Sequence, residues 1–120
     1  MRVVVTSQGP TPDSPIDPRF GRAGYLIIVD TDTSEHAALD NGPNLNAFQG
    51  AGIQTGKKVV ELKAHAVITG HVGPKAFSVL DAGGIAVYTA ASGTVSEVIE
   101  QLKVGKLRRA RSADVEGHPA

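Results

Sequence analysis

The chain has no cysteine. That absence excludes disulfides, thiolate zinc sites, cysteine-bound iron–sulfur clusters and a cysteine nucleophile. It also has no tryptophan, two tyrosines and three phenylalanines, so aromatics make up 4% of the residues and Val, Ile, Leu and Ala must fill the core. A net excess of either charge is missing as well. Twelve basic and twelve acidic residues cancel, and bulk charge therefore recruits neither nucleic acid nor membrane. No apolar run approaches a transmembrane span, and the opening Met1-Arg2-Val3-Val4-Val5 lacks the apolar region of a signal peptide, so the expected location is the cytoplasm.

Catalytic signatures are equally scarce. The first strand carries no acid, whereas two-metal nucleases need clustered carboxylates. Neither a G-x-x-x-x-G-K phosphate loop nor a G-x-S-x-G elbow occurs. The expectation is a protein that is not an enzyme.

What is present fits one α/β domain. A length of 120 residues with a 41% apolar fraction suffices for a single core. Val3-Val4-Val5-Thr6 reads as a strand buried on both faces. Residues 7–24, rich in Pro, Gly, Asp and Ser, form an eighteen-residue connection of a length often reserved for function. Residues 25–29 and 35–39, joined by Asp30-Thr31-Asp32-Thr33-Ser34, read as a hairpin whose second strand lies at a sheet edge.

Asn46 with Gln49 predicts a capping box opening a helix to about Lys63, with Ala51, Thr55, Val59 and Leu62 facing the sheet. Gly50, Gly52 and Gly56 each weaken that helix by about 1 kcal/mol, which demands either close packing or close approach of a ligand. Residues 66–69 form a strand, and Gly70-His71-Val72-Gly73 turns into a helix begun by Pro74 and stopped at Gly83-Gly84. Residues 85–88 form the fifth strand. Thr94 and Glu97 cap a last helix carrying Val95, Val98, Ile99 and Leu102. Helix-linked later strands must run parallel to the first. The expected fold is therefore α/β, a five-stranded mixed sheet with helices on its faces in a ribonuclease H-like layout. Residues 1–107 make the single domain, and residues 108–120 are expected to be a flexible tail. The segment 103–111 holds five of the twelve basic residues, either as a solvated tail or as a dock for an acidic partner.

In open α/β sheets ligands gather beyond the carboxyl ends of the parallel strands. That edge is expected to collect residues 7–24, 70–75 and 89–94, with the glycine-rich start of the first helix reaching the same rim. Uncapped helix N-termini favour anions there. The candidate binding residues are Arg19, Arg22, Gly50, Gly52, Gly70, His71, Gly73 and Lys75, with His71 also a candidate metal ligand. Simpler roles compete. Asp17 pairs with an arginine to order the loop, and Phe20 plugs the loop onto the sheet. His36 and His65 read as surface or edge residues, and His118 as part of the tail.

Several motifs occur in a telling order: Asp17-Pro18-Arg19-Phe20-Gly21-Arg22-Ala23, the acidic turn after Val29, Asn44 with Gly50-Ala51-Gly52, then Thr69-Gly70-His71-Val72-Gly73-Pro74-Lys75-Ala76, and Gly84-Ile85. Together they resemble the dinitrogenase iron–molybdenum-cofactor biosynthesis family across roughly residues 1–105. Members of that family include carriers of nitrogenase cofactor precursors and free-standing domains of anaerobes. The cysteine-free composition is most similar to members from sulfate-reducing bacteria that hold a mixed molybdenum–copper sulfide cluster non-covalently. The resemblance implies the same cargo here, or alternatively an iron–molybdenum cofactor precursor. A protein partner in a larger complex is a further possibility, as is a cofactor-free interaction module, and no nucleic-acid or membrane partner is expected. Such a cluster brings its own sulfides. It needs backbone N–H groups, a few cations and apolar walls rather than thiolates.

Overall fold

A computed structural model describes residues 1–45 and 50–113. The sheet forms around β1 (Arg2–Ser7), a valine-rich strand with no solvent contact from Val3 to Val5. β2 (Tyr25–Asp30) runs antiparallel to it with Val4 opposite Ile28, and β3 (His36–Asp40) runs antiparallel to β2. β4 (Ala66–Ile68) and β5 (Ala86–Thr89) add in parallel on the other side, Val4 pairing with Val67 and Val67 with Val87. The mixed sheet, the hairpin and the parallel later strands therefore follow the sequence pattern.

The sheet has six strands rather than the expected five, in the order β3-β2-β1-β4-β5-β6. The extra one, β6 (Arg108–Arg109), pairs antiparallel with Tyr88 and Thr89, and the Ala110 N–H donates to the Val87 carbonyl at 2.7 Å. Two exposed arginines carry no apolar alternation, so the strand had no sequence signal of its own. Hydrogen bonding to a buried neighbour makes it, and the sheet thus continues past Leu107, where fraying was expected.

Alternation splits the core in two. Val3 and Val5, with Ile27, Val29 and Ile68, face α4 (Val95–Lys103), which buries Val95, Val98 and Ile99 against them. Val4, Leu26, Val67 and Val87 face the opposite side, where Val59 of α2 (Ala51–Glu61) and Ala76 and Leu80 of α3 (Pro74–Ala82) cover them. A four-residue helix, α1 (Gly42–Leu45), precedes α2 and was not among the expected elements. The capping box assigned to Asn46 and Gln49 lies outside the described residues, as does His118. The one at Thr94 and Glu97 is present in both directions, at 3.2 and 2.9 Å. Among the described residues no helix is long and apolar enough to cross a membrane.

Candidate functional site

Residues 7–24 are ordered by polar contacts made inward. Thr6, fully buried, donates from Oγ1 to the Asp17 carbonyl at 2.7 Å and is hydrogen-bonded to Thr69 Oγ1 at 2.9 Å, tying the loop to β1 and β4. Asp17 Oδ1 accepts the Arg19 N–H at 2.9 Å and lies 3.7 Å from Arg19 Nε. The carboxylate is buried and the guanidinium is 68% exposed, so this pair shapes the loop and adds little Coulombic stability. Phe20 is 2% exposed and packs with Val4, Leu26 and Val72, which is the plug its position suggested.

Loop and strand end then meet backbone to backbone. The His71 N–H donates to the Pro18 carbonyl at 2.6 Å and the Phe20 N–H to the His71 carbonyl at 3.1 Å. A Cβ at Gly70 would sit 2.6 Å from both the Cα and the carbonyl oxygen of Pro18. Gly70 is thus required by the seam between loop and strand.

Past this seam, Phe20–Arg22 form a single 3₁₀ turn that leads onto a cleft of about 400 Å³. Phe20, Gly21 and Arg22 make one wall; Gly50, Gly52 and Ile53 at the start of α2 make the second; Gly73, Pro74, Lys75 and Ala76 at the start of α3 make the third. Five of the eight candidate binding residues, Arg22, Gly50, Gly52, Gly73 and Lys75, share this lining. Arg19 and His71 face each other across an isolated bridge beside the cleft and do not line it, and Gly70 lies in the seam. Residues 89–94 do not join the cleft either. Ala91, Ser92, Gly93 and Thr94 line a separate groove with Pro15 and Pro18, and the N-terminus of α4 is closed by its own capping box.

The cleft has a consistent electrostatic sign. Both helices that open onto it have glycine N-caps, Gly50 and Gly73, and neither makes a side-chain cap hydrogen bond. Each helix start carries about half a positive charge on its backbone N–H groups, and neither Gly50 nor Gly73 supplies a side-chain cap for them. Arg22 and Lys75 add two full positive charges, and among the described residues no carboxylate lines the cleft. Phe20, Ile53, Pro74 and Ala76 supply apolar wall.

Glycine shapes this cleft in two ways. Gly50 has φ of +102° with nothing within 4 Å of a would-be Cβ, so its backbone conformation, not space, demands glycine. Gly21, which the candidate set had omitted, needs glycine for room: its Cβ would lie 2.9 Å from the Cα and N of Gly52. The signal for Gly21 was its place between Phe20 and Arg22 in the quoted motif. Pro74 had been read as a helix start and Ala76 as part of the quoted motif, while Ile53 had drawn no reading, so their place in the cleft wall was not visible from periodicity. Among the described residues no group of three or more His, Asp or Glu side chains could hold a bare metal ion. A lone His71 cannot build such a site, which leaves this donor set suited to an anion that arrives with its own ligands.

Comparison with known proteins agrees with this architecture. The orange protein of Desulfovibrio gigas, solved in its apo form, superposes with a TM-score of 0.92 at 36% identity, covering 95% of this chain and 96% of that one. A Thermotoga protein solved by NMR gives 0.82 at 32% identity, covering 97% and 98%. An uncharacterized protein of Methanocaldococcus jannaschii is 28% identical over 102 residues, 83% of this chain and 86% of its own length. The model of the family described as dinitrogenase iron-molybdenum cofactor matches residues 1–105, and the chain belongs to that family.

Proposed function

We propose that this protein binds and carries, without covalent attachment, an anionic molybdenum-containing sulfide cluster of the molybdenum–copper kind, and that it is not an enzyme. The observation that carries this reading is the cleft between the 3₁₀ turn and the starts of α2 and α3. It combines two glycine-capped helix N-termini, Arg22 and Lys75 with apolar wall, and among the described residues it has no carboxylate. A thiomolybdate–copper cluster is bulky, soft and multiply negative, and its metals are already ligated by sulfide. Backbone N–H donors and two flexible cations suit it, and cysteine is superfluous. His71, on the loop beside the cleft, is the nearby side chain able to bind copper directly. The likeness to the orange protein supports the choice of cargo, and the strand order with β2 reversed supports a ribonuclease H-like layout.

The test is titration of the protein with tetrathiomolybdate and copper, desalting, then visible absorption and metal analysis. Retained charge-transfer bands with stoichiometric molybdenum and copper are expected. Colour lost entirely on desalting overturns the molybdenum–copper reading. The second reading, carriage of an iron–molybdenum cofactor precursor, is favoured by the family description and would then be tested in the same way.

A further inference from the structure

The two edges of the sheet are built differently. At one, β6 is two residues long and both are arginine, a short charged edge of the kind that discourages further pairing. At the other, β3 is five residues long and holds no lysine, arginine or proline. Its register with β2 runs unbroken from Tyr25 opposite Asp40 to Val29 opposite His36, so no bulge twists it away. Among the described residues no strand lies beyond it.

The ladder fixes which backbone groups of β3 look outward. The Asn41 N–H donates to the Gly24 carbonyl at 2.8 Å and the Asp30 N–H to the Glu35 carbonyl at 2.9 Å. In an antiparallel pair such bonds recur at every second residue, so residues 35, 37, 39 and 41 bond to β2. The N–H and C=O groups of His36, Ala38 and Asp40 consequently point away from the sheet. These are also the residues whose side chains share one face, and His36 lines a small groove against α4.

A second copy of the same strand, laid antiparallel about a two-fold axis at Ala38, satisfies all of them. His36 falls opposite Asp40 of the second copy, Ala38 opposite Ala38, and Asp40 opposite His36. All three are pairs that exchange two bonds, giving about six new backbone hydrogen bonds. The two outer pairs set imidazole against carboxylate, the central pair sets methyl against methyl, and Ala37 meets Leu39 on the opposite face. Shifting the register by two residues loses both the charge match and a pair of bonds. The edge is self-complementary in backbone hydrogen bonding, in imidazole–carboxylate pairing and in size.

We propose that β3 is the contact surface for a second copy of this chain, joining two six-stranded sheets into one continuous sheet. A ladder this short buries less than a standard interface, so the dimer is a weak one, with a dissociation constant of the order of 100 µM. None of His36, Ala38 and Asp40 lines the cationic cleft, and pairing leaves that cleft open.

Sedimentation equilibrium from about 10 µM to 1 mM tests this, with thermal unfolding run on every variant. The wild type is expected to shift from monomer to dimer across that range. Ala38→Pro removes an outward N–H without touching the β2 ladder and is expected to weaken association at least ten-fold. His36→Asp sets carboxylate against carboxylate twice and should do the same. Adding Asp40→His to it restores the opposite pairing and should recover association. If Ala38→Pro fails to fold, the His36→Asp series decides alone. A wild type that stays monomeric at 1 mM, or a folded His36→Asp that associates as the wild type does, overturns the proposal.

Discussion

Two glycines of the cleft lining pack against each other, and alanine at each should have opposite consequences. At Gly21 the added Cβ lands 2.9 Å from the Cα and amide nitrogen of Gly52, both backbone atoms in the first turn of α2. Ordinary contact begins near 3.4 Å, so the 3₁₀ turn or the start of α2 must move by about 0.5 Å. Neither can do so freely: Phe20 next door is anchored in the core, and α2 is held by the buried Thr55, Gly56 and Val59. Overpacking of this kind costs about 1–3 kcal/mol. For a domain of this size that is about 4 °C of Tm per kcal/mol, a fall of roughly 4–12 °C. At Gly52 the added Cβ meets only the Ala76 Cβ, at 3.5 Å. That contact is ordinary, and alanine is the better helix former by up to about 1 kcal/mol, so Gly52→Ala should unfold at or above the wild-type temperature. Yet its methyl group projects from a residue that lines the cleft, so cluster retention should fall while stability does not. Thermal and urea unfolding of the two variants, paired with the desalting assay, reads both quantities. If Gly21→Ala is as stable as the wild type, or if Gly52→Ala is the more damaging to folding, the packing argument is wrong.

Three further outcomes can be checked. Arg22→Ala and Lys75→Ala should each weaken cluster binding about five-fold, the ~1 kcal/mol expected of an exposed, screened charge, while Arg109→Ala on the far edge leaves it unchanged; equal losses from all three would mean a diffuse charge effect. Thr6→Val strips the buried Asp17 carbonyl and the Thr69 hydroxyl of a shared partner and should cost about 1–3 kcal/mol in urea unfolding, with faster exchange of the Arg19 and His71 amides as the loop detaches from β1. In the hairpin turn, Asp30 Oδ1 accepts the Asp32 N–H at 2.8 Å and the Thr33 N–H at 3.3 Å, and the bond from Asp32 holds the carboxyl below its ordinary value of 3.8. A lowered folded-state pKa means that the turn is favoured above 3.8 and loses that preference as pH falls through the lower value. An NMR titration should therefore show Asp30 and the Asp32 amide changing together below 3.8, and a midpoint above it would contradict the geometry.

Much of the fold was written in short apolar runs. Val3-Val4-Val5 could only be a strand buried on both faces, and Thr94 with Glu97 marked the start of α4. What escaped were elements whose stability comes from elsewhere. β6 exists because β5 offers it an open ladder, and α1 is a single turn between two stronger elements. That Arg22, Gly73 and Lys75 line one cleft was legible because strand ends and helix starts are predictable places for one to form. His71 and Arg19 belong to the same loops and yet turn aside, because the seam between Pro18 and Gly70 sets which side of each loop meets the space. A contact between two backbones separated by about fifty residues leaves only a glycine as its trace.

The same seam explains how a chain without thiolates can present a formed cleft. The loop carrying Arg22 is fixed at Asp17 by a buried threonine pair, at Pro18 by a glycine and at Phe20 by the core, all within six residues of the guanidinium. The two helix starts are held by the sheet and by each other, with Gly56 of α2 placed so that a Cβ would press on Val79 of α3 at 3.2 Å. On the proposed reading, the described residues of the cleft need little ordering on binding, and little binding energy is spent on it. Selectivity then rests on charge and size, since backbone N–H groups and two exposed cations read an anion's field rather than its metal. On the proposed reading, a cluster held in this cleft by screened charges is surrendered as salt rises. Arg22 and Lys75 are both exposed, and under the proposed carrier role that exposure favours release of the cargo over its tight retention.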